Sequence, residues 1–140
     1  MRAALLCFCV LNVAVSAQSG KSYRTRLAPV PIDVTMQATV AGSGTVTATL
    51  AGSKLTVSGT FEGLKSPATV AKVRKSPVRG VRGPEIFDLT VTQATAGSVA
   101  GTLELSAQQI ADLQAGRIYI QVNSERAPEG NLWGWLMEKR

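Results

Sequence analysis

The chain has 140 residues, with 15 Lys and Arg against 9 Asp and Glu, a formal net charge of +6, and no histidine. That length fits one domain whose core needs no covalent staples. With histidine absent and both cysteines confined to Cys7 and Cys9, the usual zinc and copper ligand sets and His- or Cys-based catalysis are excluded.

Residues 1–17 read as a secretory signal peptide. Arg2 supplies the positive start, residues 3–14 are almost wholly apolar, and Val15, Ser16 and Ala17 precede a cut at Gln18. The run is short for a bilayer span, and no later stretch is long and apolar enough for one. Both cysteines leave with this leader, so the expected mature chain has no thiol, and the expected location is periplasmic or extracellular, with a peripheral membrane position open. Loss of Arg2 lowers 15 basic side chains to 14 against 9 acidic, a net charge of +5.

Residues 18–32 read as an N-terminal tether, because Pro29 and Pro31 discourage regular structure. The domain proper, residues 33–140, reads as short strands with period-two patterning at 45–50, 54–61, 68–74, 86–92, 99–105, 117–124 and 132–137. Glycine turns at Gly42 and Gly44, Gly52 and Gly97 separate several of them. One segment departs from the pattern: Ser106 and Gln109 form a capping box, Ile110 and Leu113 recur at helical spacing, and Gly116 stands at the C-terminal cap. The expected fold is all-β, an antiparallel Greek-key-like β-sandwich with one short helix between late strands.

Little catalytic chemistry is available. Calcium would need an Asp-rich loop, and the acids are scattered singly. A Ser or Thr nucleophile lacks a G-x-S-x-G elbow or an S-x-x-K pair in the mature chain. Glu85 and Asp88 are three apart, which on a regular strand sends them to opposite faces rather than together as an acid–base pair. No enzyme, cofactor or metal site is expected.

Five cations, Lys72, Arg74, Lys75, Arg79 and Arg82, fall within eleven residues. Such a run is either a solvated loop or a patch that faces an acidic surface. Nucleic acid is not an expected partner, given export and the absence of a nucleic-acid motif.

Strand register gives these positions direction. With Ala71 and Val73 inward, Lys72 and Arg74 point outward. With Ile118, Ile120 and Val122 inward, Tyr119, Gln121 and Asn123 point outward. Leu132, Gly134 and Leu136 take inward positions on the last strand, so Trp133 and Trp135 face out. A hairpin that sets Asn123 opposite Trp133 sets Gln121 opposite Trp135. The expected partner-binding face is therefore Trp133, Trp135, Tyr119, Gln121, Asn123, Lys72 and Arg74, flanked by a basic patch of Lys75, Arg79 and Arg82. The alternative is that the indoles are covered by the N-terminal segment through Tyr23, Leu27 and Pro29.

Three blocks carry a resemblance to a known family. They are residues 63–74 (GLKSPATVAKVR), residues 80–89 (GVRGPEIFDL), and residues 116–124 (GRIYIQVNS) leading to residues 128–136 (PEGNLWGWL). Together, over about residues 34–137, they resemble the chordin-type, or CHRD, domain. Its corresponding patterns are approximately G-L-x-S-P-A-T-x-A-H-I-H, G-x-N-G-P-V-V-F-D-L, and G-R-x-Y-V-N-V-H-T ending P-x-G-E-I-R-G-Q-L. Lys72, Arg74 and Asn123 stand where the family has histidines, which argues against a metal-handling role. The resemblance also implies a short helix, because residues 105–109 and 113–117 are similar to the family's L-T-A-E-Q and L-x-A-G-R. The expectation is a non-catalytic binding or assembly module, an accessory subunit docked on an envelope protein or membrane complex through the Trp and basic face. The alternative is a carbohydrate- or anion-binding secreted module.

Overall fold

The computed structural model describes residues 20–31 and 34–139, so the expected leader with Cys7 and Cys9 lies outside the described residues. Nine strands and one helix follow in order: β1 (Lys21–Pro29), β2 (Ser43–Ala51), β3 (Lys54–Glu62), β4 (Ala68–Lys75), β5 (Glu85–Val91), β6 (Gly97–Glu104), α1 (Ala107–Gln114), β7 (Ile118–Ser124), β8 (Ala127–Trp135) and β9 (Met137–Glu138). A 3-10 turn, Val34–Met36, precedes β2.

The expected sandwich is corrected to a closed eight-strand antiparallel barrel. Strands run β2-β3-β6-β5-β4-β7-β8-β1, and β1 pairs back onto β2. Two strands make the closure. β1 pairs with β2 from Lys21 to Leu27, then hands over to β8 at Ala28 and Pro29. β5 pairs with β4 at Leu89 and with β6 at Thr90 and Val91. Each sheet of the expected sandwich thus continues into the other at both margins, which removes the free edges that an open sandwich must protect.

The expected tether is corrected by the same observation, since most of it is β1. Tyr23, Thr25 and Leu27 are buried and alternate with exposed Arg24 and Arg26. Pro29 ends the strand and Pro31 follows it, so the prolines mark its limit and do not abolish it. β9 pairs with Tyr23 and Arg24 in the register already set by Ala28 with Trp133, and so prolongs the β8 side of the seam. Gly134 lies at that seam: a Cβ there would stand 2.8 Å from the Arg26 carbonyl oxygen and closer still to Thr25 Oγ1. Only glycine admits so close an approach.

The barrel interior is one apolar cluster that draws on every strand from β1 to β7 and on β8, including Leu27, Val46, Leu55, Val57, Val73, Val99, Ile118, Ile120, Val122 and Leu132. Helix α1 forms where its caps direct. Ser106 Oγ accepts from the Gln109 N–H at 3.2 Å, and Gln109 Oε1 accepts from the Ser106 N–H at 2.9 Å. At the other end the Arg117 N–H reaches the Asp112 carbonyl and the Gly116 N–H that of Leu113, with Gly116 at φ 73°. This Schellman closure satisfies the last carbonyls of the helix, and Leu113 joins the core.

Candidate functional site

The outward positions of β4, β7 and β8 form two cross-strand rows. Lys72 pairs with Gln121 and Gln121 with Trp133; Arg74 pairs with Tyr119 and Tyr119 with Trp135. This register differs by two residues from the one expected, with a slip in the β7–β8 ladder between Val122 and Ser124. Residues 128–131 stand against Asn123 alone, so Asn123 has no cross-strand partner on β8. The face is the expected one, and the pairings within it are corrected.

The three aromatic rings pack on one another. Tyr119 stacks on Trp135 with centroids 4.6 Å apart and an interplanar angle of 24°. Trp133 meets both edge-on, at 4.7 Å from Trp135 and 6.1 Å from Tyr119. Such offset and T-shaped contacts are the favoured arrangements of aromatic quadrupoles.

This layer is covered from outside by residues 76–84. The Gly83 N–H donates to the Tyr119 hydroxyl at 3.0 Å, and that hydroxyl donates to the Gly83 carbonyl at 3.3 Å. Arg74 Nε reaches the same carbonyl at 2.9 Å. Trp135 Nε1 donates to Ser76 Oγ at 3.3 Å, and Arg82 donates to the Glu129 carbonyl at 2.7 Å with its guanidinium 5.9 Å from the Trp133 ring. Beneath this cover Tyr119 and Trp135 are 0 % and 9 % exposed, and Gln121, whose amide donates to Asn123 Oδ1 at 2.9 Å and to the Glu129 carbonyl at 3.2 Å, is 1 % exposed. The assignment of these three as direct partner contacts is corrected: they point away from the barrel core yet lie beneath its second layer. Over Tyr119 and Trp135 the cover is the basic loop; of the alternative N-terminal cover, Tyr23 and Leu27 point into the barrel and Pro29 pairs with Leu132, while Val30 of the same segment packs on Trp133. Trp133 is half-buried and packs on Val30, Val40 and Ala127.

The loop holds its shape for local reasons. The Val81 N–H donates to the Val78 carbonyl at 3.1 Å, and Gly80 between them has φ 89°, a turn that needs a residue free to take positive φ. A side chain at Gly83 would overlap the Lys75 carbonyl.

The basic window divides into two groups. Lys72 bonds Asp88 and lies 3.5 Å from Glu85; Arg74 lies 3.6 Å from Glu85, and Lys75 lies 3.0 Å from buried Asp112. The hydrogen bond to Asp88 is the main reason the Lys72 ammonium is held above its ordinary pKa; desolvation opposes it, and the Asp88 and Glu85 charges add to it. A register shift between Val73 and Arg74 brings Glu85 and Asp88 to the same cation, which corrects their expected placement on opposite faces. Among the described residues Arg79 makes no ion pair and Arg82 hydrogen-bonds only the Glu129 carbonyl. Asn123 accepts from Gln121 Nε2 at 2.9 Å. Two cations held by carboxylates and one amide do not make a metal site of Lys72, Arg74 and Asn123. No group of three or more His, Cys, Asp or Glu among the described residues is placed to hold a metal.

Arg24 and Arg26 were missed by sequence reasoning, although the alternation Tyr23, Thr25, Leu27 would have placed them outward. Both join Arg79 along a groove of about 390 Å³ whose other walls include Trp133, Trp135 and Met137 and which no carboxylate lines. Neither makes an ion pair among the described residues. Beyond them a wider trough of about 850 Å³ shares Arg24 and Arg26 and mixes charges, with Glu62, Glu138 and Lys139.

A family model described as the CHRD domain matches residues 26–136. No curated protein and no solved structure gives a significant match.

Proposed function

The chain belongs to the CHRD domain family, and from that premise we propose that it is an exported, non-catalytic docking module. In this reading it attaches, as an accessory subunit, to an acidic surface of an envelope protein or membrane complex. The observation that carries the reading is the gathering of Arg24, Arg26 and Arg79 along the groove beside Trp133, none of them in an ion pair among the described residues. Unneutralised cations around an aromatic anchor are suited to a desolvating contact, with charge setting encounter and salt sensitivity and the aromatic supplying area. Export is supported by the leader pattern of residues 1–17. The absence of catalysis is supported by the engagement of Glu85, Asp88 and Asp112 in ion pairs with Lys72, Arg74 and Lys75, which leaves these carboxylates without a role as a free base. No helix among the described residues is long and apolar enough to cross a membrane.

Affinity purification of the native protein from its envelope at low and high salt, with mass spectrometry of what remains bound, tests the reading. A stable partner released by salt supports it; recovery of the protein alone at both salts opposes it. The indoles that wall the groove favour a second reading, an anionic carbohydrate ligand. That reading expects a monomer whose tryptophan fluorescence changes on addition of an acidic polysaccharide.

A further inference from the structure

We propose that the turn from Val78 to Val81 is a membrane-contact tip, and that the surface around it seats on an anionic lipid bilayer. The proposal rests on the docking reading for its surface and names the bilayer as part of what that surface meets.

Apolar exposure at the tip is the first observation. Val78 and Val81 are 57 % and 46 % exposed, among the few large apolar side chains so placed. The hydrogen bond that closes the turn joins these two residues, so both valines belong to one tight turn, with Arg79 and Gly80 between them. Met137, 40 % exposed, lines the groove together with Arg79.

Charge is the second. Arg79 and Arg82 interleave with the valines, and Arg24 and Arg26 reach the same groove as Arg79. None of the four makes an ion pair with a carboxylate among the described residues. A juxtamembrane Lys or Arg near an anionic leaflet strengthens binding by about fivefold each, and the attraction fades within a Debye length.

Geometry favours lipid over the other acidic surfaces. The two exposed valines add nothing to the hold of the arginines on a saccharide or a protein carboxylate, but they suit the headgroup boundary, with the arginines at headgroup level. The tip is also held in place before contact. Tyr119, Arg74 and Arg82 tie the loop through the Gly83 and Glu129 carbonyls, so little order is lost on seating.

The test is sedimentation of the exported, leader-free protein with phosphatidylcholine vesicles and with vesicles that also contain phosphatidylglycerol. Binding is expected only to the anionic vesicles and is expected to weaken in about 1 M salt. Val78→Ser with Val81→Ser should lower that binding several-fold, and Arg24→Gln with Arg26→Gln and Arg79→Gln by about a hundredfold, both with an unchanged melting temperature. Equal binding to neutral vesicles, no binding to anionic ones, or full binding by the valine variant overturns the proposal. Capture by a soluble acidic polysaccharide in place of vesicles also overturns it. If vesicles are not bound while a salt-sensitive protein partner is retained in detergent, the docking reading stands and only the bilayer contact falls.

Discussion

Tyr119 holds Gly83 by both ends of its backbone, accepting from the N–H at 3.0 Å and donating toward the C=O at 3.3 Å. A strand residue facing away from the barrel core thereby fixes the loop that carries Val78, Arg79, Val81 and Arg82. The stack of Tyr119 on Trp135 is thus the floor on which that loop rests.

Removal of the Tyr119 hydroxyl should free the loop and leave the barrel. Tyr119→Phe keeps the stack with Trp135 but leaves the Gly83 N–H without its partner, at a cost of about 1 kcal/mol. Amide exchange at residues 78–83 should quicken while strand amides stay protected; equal change throughout would mean the loop and barrel unfold together.

The two tryptophans should behave differently. Trp135 is nearly buried and bonds Ser76, so Trp135→Ala should cost about 3–5 kcal/mol of stability. Trp133 is half-buried at the edge of the groove, so Trp133→Ala should lower the melting temperature less and partner retention more. Melting curves and retention assays on both single variants check this, and reversed effects would assign the contact to the wrong indole.

Closure of the barrel through β1 should depend on Gly134. Gly134→Ala drives a methyl into Thr25 and the Arg26 carbonyl, and overpacking of this kind typically costs about 1–3 kcal/mol. Thr25→Ala should restore only part of the loss, since the carbonyl remains. A neutral Gly134→Ala variant would show that β1 is not seated against β8 as described.

Stability should decline in alkali. Burial, with the nearby Glu138 charge, pushes the Tyr23 phenol up from its ordinary pKa, and the Asp88 hydrogen bond raises that of Lys72. A raised folded-state pKa makes the folded state bind more protons than the unfolded chain above the unfolded value. Both contributions are therefore intact below about pH 10 and are lost as pH rises through the folded values. Tyr23 also lacks a hydrogen-bond partner for its buried hydroxyl among the described residues, so Tyr23→Phe should be neutral or stabilising at pH 8 and should flatten the decline toward about pH 11. Urea melts across that range check both effects.

Much of this architecture was legible in the residues, and the missing parts share one physical cause. Period-two alternation located the strands of the domain proper, and Ser106, Gln109 and Gly116 located the helix, because those signals are local. Alternation says which way Trp135 points but not what lies above it, and only the tertiary return of Gly83 onto Tyr119 buries it. The role of β1 was hidden for the same reason. Pro29 and Pro31 speak to local backbone, whereas closure needs β2 and β8 to meet the same strand from opposite sides. The slips at Val73 and Val122 decide that Lys72 meets both Glu85 and Asp88 and that Trp133 meets Gln121, and irregular ladders of this kind leave no periodic trace.

The claim at the centre of this account is that unneutralised arginines around Trp133 make the docking surface. The most direct test is retention on the native partner after the triple change Arg24→Gln, Arg26→Gln and Arg79→Gln, beside the single change Lys72→Gln. The account predicts that the triple variant is released at low salt with an unchanged melting temperature, while the Lys72→Gln variant, whose lost cation is already held by Glu85 and Asp88, stays bound. Retention of the triple variant at the level of the unaltered protein would contradict it.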